Sequence, residues 1–267
     1  MTSQGFGRNM DITCMEIPGK SKDIKVIKSK KLNWIKTKVT DIKSISPKVK
    51  IFTLETEKKI HIEPGQHFEI KLISVSGYEA QRSYSVISNF SDTNKLCFAV
   101  SKINNGEVSE YLHEKLEISH NLYIRGPIGK YFNLNKISKS VILIAGGIGI
   151  TPFIFYLRQK NFDTKISLIY SAKNQKEYLF RKELEDKNKL HKNFNLIVTL
   201  TKEFERTWKG LNSRINNEII KSVTNKHSPL ETQYFVCGGS NFVENMSNIL
   251  MNLGIDYKDI KLERFGP

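Results

Sequence analysis

The chain reads as two domains in series, an all-β domain followed by an α/β domain built on a parallel sheet. Two observations predict this. From Leu32 to about Leu134, short runs alternate apolar and polar residues with a period of two. From Val141 onward the grammar changes to strand-like runs separated by helix-like ones, the signature of a parallel sheet flanked by helices. The junction is expected near Asn135 to Ser140, dividing the chain into 32–136 and 137–267. Residues 1–31 are polar, with a lysine-dense stretch from Lys20 to Lys31, and form a lead-in whose role the residues do not disclose.

In the first domain, Val49 to Leu54 is a β-rich run, and Pro64-Gly65 marks a turn before the next strand. Phe68, Ile70 and Leu72 then alternate with His67, Glu69 and Lys71, as in a half-buried strand. Leu96, Phe98 and Val100 repeat the pattern, as do Leu122 and Ile124. Arg82-Ser83-Tyr84-Ser85 follows a turn-like segment and is expected to head a strand. One helix interrupts the strands over Ser109 to Leu116, with Leu112 and Leu116 four apart and Ser109 as its cap. Strands at this spacing form an antiparallel barrel or a sandwich.

In the second domain strands are expected at Ile166 to Tyr170, Asn195 to Leu200, Tyr234 to Cys237 and Ile260 to Phe265. Helices are expected at Lys176 to Lys189, Arg214 to Ser222 and Asn241 to Leu253. The domain opens on Val141 to Phe153, VILIAGGIGITPF. Val141 to Ile144 reads as a strand buried on both faces. Gly146, Gly147 and Gly149 permit a tight turn, Thr151 is placed as a helix cap, and Pro152 suits the first helical position. A glycine turn feeding a helix gathers free N–H groups beside the positive end of the helix dipole, which suits a phosphate-bearing ligand. The spacing is GGxG, so the GxGxxG dinucleotide fingerprint is absent.

Composition narrows the function classes. The 267 residues, 39% hydrophobic and 10% aromatic, suit two globular domains. No apolar run approaches the ~20 residues of a membrane-spanning helix. No signal-peptide core opens the chain. Cys14, Cys97 and Cys237 lack metal-ligand spacing, so no metal site is expected, and a reducing cytoplasm fits them. The net charge of +15 suits a partner with an acidic surface, or reflects a lysine-rich coding bias. The lysines are spread rather than striped and no nucleic-acid module is present, so nucleic acid is not the expected partner.

Five short motifs taken in order resemble the ferredoxin–NADP reductase family: Arg82-Ser83-Tyr84-Ser85, Gly106-Glu107-Val108-Ser109, Gly126-Pro127-Ile128-Gly129, Gly147-Ile148-Gly149-Ile150-Thr151-Pro152 and Cys237-Gly238-Gly239. The similarity runs from about Trp34 to the C-terminus. It implies an antiparallel β-barrel that binds a flavin, followed by an α/β domain that binds a nicotinamide nucleotide. Arg82, Tyr84 and Ser85 match the family's flavin motif, with Ser85 beside the reactive edge of the ring system. Gly106, Val108 and Ser109 match the loop and helix start that hold the flavin phosphates. Gly147, Gly149 and Thr151 match the nucleotide turn, and Cys237 and Gly238 the pair beside the nicotinamide. The end Glu263-Arg264-Phe265 resembles the family's carboxylate and aromatic, Glu263 near the nicotinamide pocket and Phe265 near the flavin. Ser85, Cys237 and Glu263 are thus the expected catalytic set.

The continuation Ser109-Glu110-Tyr111-Leu112 resembles FAD-binding members, so FAD is expected, with FMN as the alternative. Thr201-Lys202 stands where the family places a serine–arginine pair for the 2′-phosphate of NADPH, and Arg206-Thr207-Trp208 resembles a downstream element. With Lys173 nearby these favour NADPH over NADH, although Glu203 and Glu205 weaken the local field. The expected activity is an NAD(P)H-dependent flavoprotein reductase that serves a separate, acidic iron–sulfur carrier, since no C-x4-C-x2-C cluster motif occurs here. A haem-protein or small-molecule acceptor, and a non-catalytic redox sensor, are the other readings.

Overall fold

A computed structural model describes residues 32–89, 91–134, 139–158, 163–203 and 205–266. The lead-in at 1–31 lies outside them, as does most of the expected junction at 135–140.

Six antiparallel strands come first: β1 (Ile35–Ser46), β2 (Val49–His61), β3 (His67–Ile73), β4 (Glu79–Ser85), β5 (Asp92–Ser101) and β6 (Asn121–Ile128). They pair in the order β4-β3-β6-β1-β2-β5. An antiparallel bridge from Val86 to Phe98 joins the two edges, so the sheet curls into a barrel and not a sandwich. Its core takes the residues that the period-two pattern points inward. Phe68, Ile70, Leu96, Phe98, Val100, Leu122 and Ile124 are all buried. Between β5 and β6 lies α1 (Glu107–Glu114). It starts two residues earlier than expected, with Gly106 as its N-cap, and Ser109 sits inside its first turn. The Ser109 hydroxyl turns back to accept from the Ile103 N–H at 3.1 Å and to donate to the Gly106 carbonyl at 3.2 Å. It therefore shapes the preceding loop instead of capping the helix.

Five parallel strands follow: β7 (Ser140–Gly146), β8 (Lys165–Ala172), β9 (Phe194–Leu200), β10 (Thr232–Gly239) and β11 (Ile260–Phe265). Their order is β11-β10-β7-β8-β9. The chain thus winds outward from β7 in one direction and then the other, leaving a switch point between β7 and β10. Val141 to Ala145 are fully buried, as expected of a strand covered on both faces. The helices are α2 (Thr151–Leu157), α3 (Arg181–Leu190), α4 (Asn217–Thr224) and α5 (Ser240–Asn252). A 3₁₀ turn over Gly147–Ile150 precedes α2, so Thr151 lies within helical structure and its hydroxyl donates to the Ile148 carbonyl at 3.0 Å. Helix α3 starts five residues later than expected, because Phe180 just before it adopts a left-handed φ of 56° that a continuous helix cannot contain.

All seven residues of α2 are buried. The helix serves two cores at once: Phe153 packs with Phe132 and the α/β sheet, whereas Phe155 belongs to the barrel interior. At the amino-terminal end of the parallel sheet, His227 is 6% exposed, bonded to Ser140 at 2.5 Å and Ser167 at 2.7 Å. Thr232 donates to Ser140 at 2.9 Å, so one buried polar cluster ties β7, β8 and β10 together. Burial, then Lys165 and Lys226, push the His227 pKa down to about 4.

Candidate functional site

Between the barrel and the carboxyl ends of the parallel strands lies a cleft of about 920 Å³. That volume is in the range of sites for dinucleotide-sized or smaller ligands, roughly 300–1,000 Å³. Nine of the expected residues line it: Arg82, Tyr84, Ser85, Gly106, Val108, Ser109, Thr151, Glu263 and Phe265. They come from β4, α1, α2 and β11, so the fold gathers positions scattered along the whole described chain.

The Arg82–Ser85 motif closes β4 rather than opening a strand. Arg82 is exposed, and its guanidinium donates to the adjacent Gln81 carbonyl at 2.7 Å. Tyr84 is half-buried; burial raises its hydroxyl pKa to about 12, with Arg82 opposing in part. The hydroxyl is therefore a hydrogen-bond donor across the physiological range. Ser85 is buried, and His67 faces it across the β3–β4 ladder.

Gly106 brings the N-terminus of α1 to the cleft with no side-chain cap on the helix. Two acidic groups sit in that first turn and both are engaged: Glu110 accepts from the Asn105 N–H at 2.8 Å, and Glu107 from the Tyr78 hydroxyl at 3.3 Å. Unpaired helix N–H groups beside an exposed arginine suit a phosphate. Val108, Ala99, Phe132 and Ile148 supply an apolar wall for a flat ring system.

Behind the cleft's Glu263 on β11, Cys237 on β10 is its direct partner in the parallel register, fully buried and not itself part of the lining. Gly149 explains how the glycine turn reaches them. A Cβ at this position would stand 2.3 Å from the Cys237 carbonyl oxygen, so only glycine allows the turn to close on β10. Gly147 takes φ +57°, with nothing within 4 Å of where its side chain would be, leaving open space above the turn. Gly238 is buried directly after Cys237. Burial raises the Cys237 thiol well above its usual pKa, and Glu263 adds to this, so the thiol stays protonated. Burial also raises Glu263 to about 7, although Ser85 opposes it by donating a 3.5 Å hydrogen bond to its Oε1.

Lys202 and Arg206 lie apart from this cleft, in the segment after β9, and both are exposed. The Lys202 N–H donates to the Lys173 carbonyl at 2.9 Å, which brings the segments after β8 and β9, with their two lysines, side by side. Among the cleft residues that sequence reasoning did not assign are His67, Lys130 and Tyr131. The signal for the last two was their place directly after the Gly126–Gly129 turn.

Taken together, an apolar wall, an uncapped helix start with Arg82, and a polar end formed by Ser85 and Glu263 fit a flavin dinucleotide. Comparison with known proteins agrees. Residues 36–132 match an oxidoreductase FAD-binding domain, and residues 143–248 an oxidoreductase NAD-binding domain. The chain is 30% identical over 226 residues to NADH-cytochrome b5 reductase 2 of Aspergillus fumigatus, covering 80% of this chain and 68% of that one. It is 25% identical over 209 residues to the glycine betaine monooxygenase reductase subunit of Chromohalobacter salexigens, covering 76% of this chain and 56% of that protein, just over half its length. Among solved structures, a ferredoxin NADP+ reductase from Neisseria gonorrhoeae with bound FAD and NADP superposes with a TM-score of 0.73 at 21% identity, covering 86% of this chain and 98% of that one.

Proposed function

The chain belongs to the ferredoxin–NADP reductase family of FAD- and NAD-binding oxidoreductases, and we propose that it passes electrons from NAD(P)H to a separate carrier protein. The observation that carries this reading is the cleft itself, where the barrel's Ser85 meets Glu263 at the end of the nucleotide domain. When bound, FAD supplies the redox chemistry, taking a hydride from the nicotinamide and giving up electrons singly.

The chain's own residues bind, align and shield. Arg82 and the N-terminus of α1 would hold the flavin phosphates, and Tyr84 would donate a hydrogen bond toward the ring system. Gly147, Gly149 and Thr151 receive the nucleotide at the glycine turn. Gly238 and the neutral Cys237 thiol would shape the nicotinamide pocket, and Phe265 would pack against the flavin ring. Glu263, neutral below about pH 7, holds a proton beside Ser85. We assign the barrel at 32–136 to the flavin and 137–267 to the nucleotide, with Lys173, Lys202 and Arg206 favouring NADPH.

The carrier is an acidic iron–sulfur protein, a reading supported by the chain's +15 charge and by its likeness to a monooxygenase reductase subunit. Its likeness to a cytochrome b5 reductase favours a haem-protein acceptor as the second reading. A cytoplasmic setting suits the free thiols of Cys97 and Cys237. Among the described residues no helix is long and apolar enough to cross a membrane.

The test is anaerobic titration of FAD-reconstituted protein with NADPH and with NADH. Bleaching of the flavin band, followed by its return on adding an oxidised ferredoxin, is expected. Failure to retain flavin after reconstitution sinks the reading, and return with cytochrome b5 alone selects the haem acceptor.

A further inference from the structure

We propose that Arg158 is a positioning residue, whose guanidinium holds the barrel segment bearing Ser85 in register with helix α2. The inference rests on the reductase reading above and adds a residue that lies outside the cleft.

Arg158 is the C-cap of α2, the helix whose first residue, Thr151, lines the cleft. Its Nη1 donates to the carbonyl of Ile87, in the segment that continues from Ser85. Its Nε and Nη2 donate to the two carboxylate oxygens of Glu183 on α3, at 2.8 and 2.9 Å. The guanidinium also lies 5.6 Å from the centre of the Phe180 ring. One planar fork therefore joins the barrel, α2 and α3. The Arg158 side chain is 20% exposed and that of Glu183 33%, so the pair is sheltered. Ile87 is fully buried, so its carbonyl takes the guanidinium as a partner out of contact with solvent.

Apolar packing alone does not supply this alignment. The contacts of α2 with the barrel are those of buried side chains such as Phe155, and such attraction is non-directional. It opposes separation of the two sheets more strongly than a small slide between them. A bidentate guanidinium–carboxylate pair with a third bond to a backbone carbonyl is directional and fixes the slide. Hydride transfer is sensitive to such a slide, because a misplacement of ~1 Å can slow a reaction by roughly 100-fold.

The test uses the full-length protein reconstituted with FAD, comparing wild type with Arg158→Lys, Arg158→Gln and Glu183→Gln. Flavin stoichiometry and half-saturating nucleotide should stay within about twofold, while flavin reduction at saturating nucleotide falls roughly tenfold or more in both arginine variants. Glu183→Gln should give a smaller loss. In flavin-free protein, amide exchange over residues 85–89 and 151–158 should quicken in Arg158→Gln, with β8 unchanged. Reduction rates within twofold of wild type overturn the proposal. So does a loss of flavin binding in both arginine variants, which would make Arg158 a general stabiliser. If Arg158→Gln does not fold, Glu183→Gln decides between the same outcomes: slowed reduction at normal flavin content supports the clamp, and an unchanged rate overturns it. A wild type that neither nucleotide reduces defeats the reductase reading instead, while amide exchange still reports on the clamp.

Discussion

Ser85 and Glu263 lie 178 residues apart in sequence, yet the serine hydroxyl donates to Glu263 Oε1 at 3.5 Å across the mouth of the cleft. The bond joins the last residue of β4 to a strand at the opposite end of the chain. It also fixes where a carboxyl group with a raised pKa sits, beside the serine expected at the reactive edge of the flavin.

The raised pKa of Glu263 has a definite sign. Between its ordinary value of 4.5 and about 7, the folded protein keeps a proton that the unfolded chain has lost. Stability from this group is complete below 4.5 and is lost as pH rises through 7. Glu263→Gln should therefore match wild type in melting temperature near pH 4.5 and exceed it at pH 8. Its turnover profile should lose an inflection near pH 7. Parallel melting curves for the two proteins from pH 4.5 to 8 would count against this assignment.

Cys237 is fully buried and held as a neutral thiol, so its proposed role is to shape the nicotinamide pocket without forming a covalent bond. Cys237→Ala should slow flavin reduction by about tenfold, ~1.4 kcal/mol in the barrier, with flavin content intact. Stopped-flow reduction at wild-type speed would leave the cysteine a packing role only.

On the proposed reading, Lys202 and Arg206 recognise the 2′-phosphate. Each alanine variant should lower the NADPH-to-NADH ratio of kcat/KM, Lys202 alone incompletely because Lys173 stands beside it. The double variant Lys173→Ala with Lys202→Ala should lower it further. Steady-state kinetics with both nucleotides decide the matter, and unchanged ratios throughout would remove these residues from phosphate reading.

His227 titrates in the other direction. Its folded pKa of about 4 lies below the ordinary 6.5, so the unfolded chain binds the extra proton between those values. Stability should fall as pH drops from 6.5 to 4, by up to about 3 kcal/mol. His227→Gln should melt lower at pH 7 but with a flatter dependence on acid. Equal slopes for wild type and variant in thermal melts from pH 4 to 7 would show that another group causes the acid sensitivity.

Local periodicity made much of the fold legible. Phe68 with Ile70, the buried run from Val141, and the closing strand Ile260–Phe265 all stand where the residue pattern puts them. The residue pattern assigns no strand over β1, whose alternation is broken by a register shift between Val39 and Asp41. The start of α1 was misplaced because Ser109 bonds backward into its loop, and sequence alone cannot show which way a hydroxyl turns. His67 read as the polar face of a strand, and it is, but at that end of β3 the polar face lines the cleft. The Ser85–Glu263 and Arg158–Ile87 contacts were beyond local reading altogether, since only the docking of the two sheets creates them.

Helix α2 also bears on how such proteins are assembled from parts. With Phe153 committed to one core and Phe155 to the other, the natural seam for recombination does not run between the two sheets. A chimaera that joins this barrel to a foreign nucleotide domain would set a mismatched helix against the Phe155 pocket. It should aggregate or melt early unless the foreign helix keeps a phenylalanine at the Phe155 position. Moving 151–158 with the barrel would instead strip Phe153, Ile154, Tyr156 and Leu157 from the other core, so neither half can be exchanged with its packing intact.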